Sequence, residues 1–142
     1  CIQEINIGMA ADVGTLQRLP KIIPDSKMRE MAYTGRRMYA PESKETGLVS
    51  DVFESQEAML SAANDLAKEI ASKSPVAIYG LKAVMNYSRD HSVSDGLDYN
   101  ALWSGAMLSQ KDMTEAMTAN MEKREASFNE LVDVKKFNES KS

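Results

Sequence analysis

Two carboxylates, Glu4 and Asp12, stand eight residues apart in a run otherwise made mostly of small and apolar residues, Ile5-Asn6-Ile7-Gly8-Met9-Ala10-Ala11. Paired acids beside an apolar pocket suit proton transfer, because poor solvation disfavours the charged form and lets a carboxyl give and take protons near neutral pH. Gly8 midway and Gly14 just beyond let the backbone turn sharply or approach a ligand closely. Both acids also have structural readings. Asp12 precedes Val13-Gly14-Thr15-Leu16, and aspartate is a favoured helix N-cap. Glu4 fits the solvated face of a short alternating strand.

The elements that must position these acids read as a layered α/β unit. Residues 2–7 alternate like a strand, residues 8–11 bend, and a helix is predicted from about Val13 with Pro20 near its end. Asp25 or Ser26 is expected to cap a helix carrying Met28, Met31 and Ala32, with Gly35 ending it. Residues 36–40 read as extended, residues 41–46 as a helical turn opened by Pro41, and residues 48–53 as a second strand. Beyond residue 54 the pattern is helical. Met59, Ala63, Leu66, Ala67 and Ile70 fall on one helix face. Ser74-Pro75 opens the next helix, Ser92-Val93-Ser94-Asp95 reads as a short acidic capping box, and Ser109-Gln110-Lys111-Asp112 repeats that device. The chain therefore divides into an α/β part at 1–54, a helical region at 55–126 and a charged, frayed tail at 127–142.

Composition narrows the function. A net charge of -4 over 142 residues supplies no general basic field, which argues against nucleic acid as a partner. The single cysteine, Cys1, and single histidine, His91, form no zinc pattern and no internal disulfide, so no metal site is expected and a reducing compartment fits. No apolar run reaches the length of a membrane span. His91, between Asp90 and Ser92, reads as a capping or surface residue. The stripe Met113, Met117, Met121 reads as core or subunit-interface packing, and Trp103 and Tyr99 as anchors in an interface or within the subunit. Arg18 reads as a structural ion pair or cap.

In order along the chain, Glu4-Ile5-Asn6-Ile7-Gly8, Gln17-Arg18-Leu19-Pro20, Tyr33-Thr34-Gly35-Arg36 and Thr46-Gly47-Leu48-Val49-Ser50 resemble the second half of the enoyl-CoA hydratase/isomerase (crotonase) superfamily. Ala10-Ala11-Asp12-Val13-Gly14, Ser74-Pro75-Val76-Ala77 and Tyr87-Ser88-Arg89-Asp90-His91-Ser92-Val93 are similar to its Δ3,5-Δ2,4-dienoyl-CoA isomerase branch, whereas the hydratases carry glycine where this chain has Asp12. The resemblance covers residues 1 to about 125. It implies the C-terminal portion of a crotonase-type ββα spiral, followed by helices that assemble a homotrimer or a dimer of trimers.

The activity it implies is isomerisation of 3,5-dienoyl-CoA to 2,4-dienoyl-CoA in fatty-acid β-oxidation, with coenzyme A carried on the substrate and no separate cofactor. Glu4 matches the superfamily's second catalytic glutamate and Asp12 the extra acid of the dienoyl branch. An oxyanion donor, a further acid and much of the coenzyme A site would belong to an upstream half of the same protein. Lys73, Lys82 and Lys123 are candidates for coenzyme A phosphates. Peroxisome or mitochondrial matrix is the expected compartment, and Ser140-Lys141-Ser142 is a near miss to a peroxisomal address. The alternatives are an enoyl-CoA hydratase, for which an acid at position 12 has no use, and a helical assembly module without catalysis.

Overall fold

Every backbone N–H and C=O needs a partner, and the described helices and turns supply partners a few residues away along the chain. The structure, a computed structural model, describes residues 1–131, which fall into two compact units, Cys1–Leu60 and a second that begins at Ser61. The expected tail segment Lys135-Lys136 and the terminal Ser140-Lys141-Ser142 lie outside the described residues.

The first unit begins with a 3-10 turn, Glu4–Ile7, closed by Gly8 in the left-handed region at φ 74°. Four short helices follow in sequence: α1 (Thr15–Arg18), the 3-10 turn Leu19–Lys21, α2 (Asp25–Thr34) and α3 (Ala40–Glu45). Its core is Ile2, Ala11, Ile23, Met28 and Met31, with Leu16, Leu19, Ala32, Met38 and Leu48 packed against it. The α2 helix supplies Met28 and Met31, three residues apart and hence on one face.

Neither expected strand forms among the described residues, so the readings of strands at 2–7 and 48–53 are corrected to turns and irregular chain. A strand needs a neighbour to take its alternate N–H and C=O groups. Residues 2–7 instead close on themselves: the Asn6 N–H donates to the Gln3 carbonyl at 2.9 Å, and the Met9 N–H donates to that of Glu4 at 2.9 Å. Residues 48–53 behave likewise, with the Val49 N–H donating to the Ser43 carbonyl at 3.2 Å and the Asp51 carboxylate accepting from the Val52 N–H at 2.8 Å. The cap expected from Asp25 or Ser26 is also absent. Pro24 holds the N-cap position of α2, and Asp25 pairs with Arg29 one turn on, at 2.5 Å.

The helical region follows its capping signals closely. Ser55 Oγ accepts from the Ala58 N–H at 3.1 Å, ahead of α4 (Gln56–Ala71). In the second unit Ser74 accepts from the Ala77 N–H at the start of α5 (Pro75–Ser88). Ser92 and Asp95 complete a reciprocal capping box on α6 (Val93–Met107), and Ser109 caps α7 (Gln110–Glu122) through the Asp112 N–H. The Ser74 hydroxyl also donates to the Asp112 carboxylate, joining the starts of α5 and α7. No helix among the described residues is long and apolar enough to cross a membrane.

The α5 and α6 helices approach closely where Gly80 leaves room for the Trp103 indole, whose ring occupies the space a Cβ at Gly80 would need. His91 Nδ1 sits 2.7 Å from the Tyr87 carbonyl, and its ring stacks on Tyr87, which stacks on Tyr99 at centroid distances of 3.7 and 4.2 Å. Trp103 and Tyr99 are thus half-buried inside the unit, and His91 closes the end of α5 at the surface. Met113 is half-buried, but Met117 and Met121 are 62% and 76% exposed, so the stripe is not core within the described residues.

Gly80→Ala should therefore destabilise the protein by about 1–3 kcal/mol, the range for overpacking a filled contact. Gly105→Ala, where nothing lies within 4 Å of the added methyl, should raise stability by up to about 1 kcal/mol. Thermal unfolding of the two variants beside the parent measures both.

Candidate active site

Both acids flank residues that are pinned in one core. Ile2, 5% exposed, lies two positions before Glu4, and Ala11, 8% exposed, immediately precedes Asp12. With Ile2 and Ala11 in the same cluster, the segment between them is tethered at both ends. A third tether ties it to α2: Gln3 Nε2 donates to the Gly35 carbonyl at 2.7 Å, and the Asn6 amide donates to Gln3 Oε1 at 2.8 Å. Gly35, in the left-handed region at φ 65°, takes this contact because the Asn6 amide fills the space of a Cβ there.

Glu4 opens the 3-10 turn and is half-buried, whereas Asp12 is exposed. Asp12 does not cap α1, since Gly14 holds that position without a side-chain bond. An apolar cavity of about 360 Å³ lies beside them, its wall including Ile5, Met9, Ala11, Leu16 and Met28. Neither acid lines that cavity, so the expectation that both sit in one shared apolar pocket is corrected: each is next in sequence to a wall residue, Ile5 or Ala11. Covalent order explains this. Each carboxylate is carried by the residue adjoining a wall residue rather than by a wall residue itself.

Arg18, expected as a structural ion pair or cap, takes its structural role through backbone carbonyls. Its Nη2 donates to the Val13 carbonyl at 2.8 Å and its Nε to the Gly14 carbonyl at 3.3 Å, folding the guanidinium over the turn that follows Asp12. An unannounced arrangement braces the same unit. Arg36 makes paired bonds to Glu42 at 2.8 and 2.7 Å and a third to Glu30 at 2.8 Å, with Lys27 3.4 Å from Glu42. Arg36 is six residues from each of these acids, outside the helical i,i+4 spacing, so no periodic signal marks the network.

In the second unit a cavity of about 630 Å³ is lined by Trp103, Met107, Met113, Ala116 and Phe128, with Lys73 and Arg124 among its polar wall residues. Arg124 holds Glu115 through bonds of 2.6 and 3.0 Å. Lys73 lies 3.9 Å from Glu69 on exposed surface, and Lys123 takes the left-handed conformation that ends α7. Among the described residues no three His, Cys, Asp or Glu side chains converge as metal ligands.

The sequence profile of the enoyl-CoA hydratase/isomerase family matches residues 1–131, and the chain belongs to that family. Within it, the chain is 51% identical over 125 residues to a protein of Mus musculus named mitochondrial Δ3,5-Δ2,4-dienoyl-CoA isomerase, covering 87% of this chain and 38% of the relative. It is 45% identical over 130 residues to a peroxisomal isomerase of the same name from Arabidopsis thaliana, covering 92% and 47%. An enoyl-CoA hydratase structure from Bacillus anthracis superposes with a TM-score of 0.83 at 30% identity, over 89% of this chain and 48% of that one. The chain thus spans less than half the length of each of these relatives. Their fold is shared over the matched residues.

The Arg36 network has a pH signature. The Arg36 guanidinium, through its bonds to Glu42, holds that carboxyl down at about 2 from its ordinary 4.5. A carboxyl whose pKa falls on folding lends stability above its unfolded value and loses it as pH drops through the folded one. Glu42→Gln should accordingly lower the urea midpoint at pH 7. The gap between variant and parent should narrow from about pH 4.5 and close near pH 2, as followed by circular dichroism.

Proposed function

We propose that this chain supplies the two proton-transfer carboxylates of a Δ3,5-Δ2,4-dienoyl-CoA isomerase. The observation that carries the reading is the 51% and 45% identity to relatives of that name, against about 30% to the hydratase structures. Asp12 supports it, because an acid at that place serves proton delivery far from the thioester and has no task in hydration.

The reaction moves a proton from C2 to C6 of an extended acyl chain, a span that two separately held groups serve better than one. In the proposed mechanism the Glu4 carboxylate takes a proton from C2, and the electron pair left behind delocalises through the diene onto the thioester oxygen. The Asp12 carboxyl then donates its proton at C6, and the 3,5 double bonds become 2,4. One cycle leaves Glu4 protonated and Asp12 ionised, and exchange with water restores both. The dienolate oxygen requires preorganised N–H donors, and this reading draws them from an upstream half of the protein.

The same reading assigns residues 1–54 to the end of a ββα spiral core and residues 55–126 to assembly as a homotrimer or dimer of trimers. Exposed apolar side chains on α6 and α7, with Leu102 at 74% and Met121 at 76%, support an assembly role. Acyl-CoA is the substrate, with Lys73, Lys82 and Lys123 as candidates for its phosphates. The compartment is a peroxisome or the mitochondrial matrix, in keeping with the names of the relatives.

The test uses the full-length protein that includes these residues, with 3,5-dienoyl-CoA as substrate and ultraviolet absorbance of the conjugated product as readout. Asp12→Asn should lower kcat by about 10²–10⁴-fold while leaving the circular dichroism spectrum unchanged. A parent that ignores the diene and hydrates 2-enoyl-CoA establishes the hydratase reading instead. A defined oligomer that turns over neither substrate establishes the assembly module.

A further inference from the structure

We propose that Arg18 is the positioning residue for Asp12, fixing the direction of its carboxyl by clamping the backbone that follows it; this rests on the preceding assignment of Glu4 and Asp12. The two carbonyls it holds belong to Val13 and Gly14, the residues directly after Asp12. The orientation of the 12–14 backbone sets the direction in which the Asp12 Cα–Cβ bond leaves the chain. Beyond the buried Ala11 before it and the Arg18 N–H bond to the Gly14 carbonyl at 3.1 Å, no regular structure fixes that backbone. Residues 9–12 have no regular structure, α1 is four residues long, and its N-cap carries no side-chain bond.

The clamp depends on the absence of a side chain at Gly14. Gly14 lies at φ 86°, and a Cβ there would meet Arg18 Nη2 at 2.5 Å and Nε at 3.1 Å. The guanidinium therefore lies flat against the glycine, where a branched or longer residue would lift it off. The planar fork of arginine reaches two carbonyls at once with fixed geometry. A lysine ammonium on its flexible stem offers point contacts instead. Glu4 stands outside this clamp, secured separately by the Gln3 bond to Gly35 and by Ile2 in the core. The two acids are thus positioned by different contacts, and damage to one need not reach the other.

This independence gives a readout that a merely structural role would not produce. In D2O, removal and return of the C2 proton by Glu4 places deuterium at C2 of unreacted 3,5-dienoyl-CoA, whereas product formation also needs Asp12 at C6. In the full-length protein Arg18→Met should lower isomerisation by about 10²-fold, the scale for an ångström of misplacement, with C2 exchange kept within about twofold of the parent. Arg18→Lys should recover part of the isomerisation. Gly14→Ala, which crowds the guanidinium and is itself strained at φ 86°, should lower isomerisation as well, and Arg18→Gln serves if Arg18→Met does not fold.

Proportional loss of both rates in these variants, or loss of neither, overturns the assignment. Two controls separate this outcome from failure of the preceding reading. Asp12→Asn must itself show the split, and Glu4→Gln must lose both rates. If either control fails, the roles of the two acids fall, and the inference about Arg18 falls with them.

Discussion

The feature on which the first unit depends is a loop held at both ends by one small core. Ile2 and Ala11 enter the same cluster as Ile23, Met28 and Met31, and the residues between them have no ladder or long helix to define their path. Burial of these few side chains, at roughly 25 cal/mol per Å² of apolar area, supplies the force. Hydrogen bonds from Gln3 and Asn6 supply the direction that burial alone lacks. Because apolar burial is non-directional and hydrogen bonds are not, the two together fix where Glu4 begins its turn and where Asp12 leaves the core.

Charge in this chain acts mainly as bracing. Arg36, Glu30, Glu42 and Lys27 join the end of α2 to the start of α3, and Arg124 and Glu115 tie the segment after α7 back to that helix. Exposed ion pairs contribute little singly, but paired guanidinium–carboxylate bonds fix geometry as well as attraction. Arg18 belongs to a different kind. Its cation is directed at neutral backbone carbonyls, which places its effect on conformation.

Much of the helical region was legible in the residues. Ser74, Ser92 and Ser109 each precede a helix and each accepts from the backbone N–H three residues on, because a hydroxyl at an N-cap meets an otherwise orphaned donor whatever the rest of the fold does. The family was legible too, since ordered short motifs survive independently of how the chain around them packs. The strand readings at 2–7 and 48–53 failed for the opposite reason. Alternation describes which face a residue would show, but a strand exists only when another strand takes its hydrogen bonds.

The sequence by itself determined the helix starts after residue 54, the turn glycines at 8 and 35, the presence of two acids in an apolar run, and membership of the enoyl-CoA hydratase/isomerase family. These are properties of local stereochemistry and of residue order. Tertiary structure alone decided that Ile2 and Ala11 share a core, that Trp103 lies in the gap left by Gly80, and that Arg36 gathers acids six residues away on either side. It also turned Arg18 onto the carbonyls behind Asp12. A long side chain finds its partner in space, and the left-handed turn at Gly14 that brings those carbonyls within reach leaves no periodic mark in the sequence.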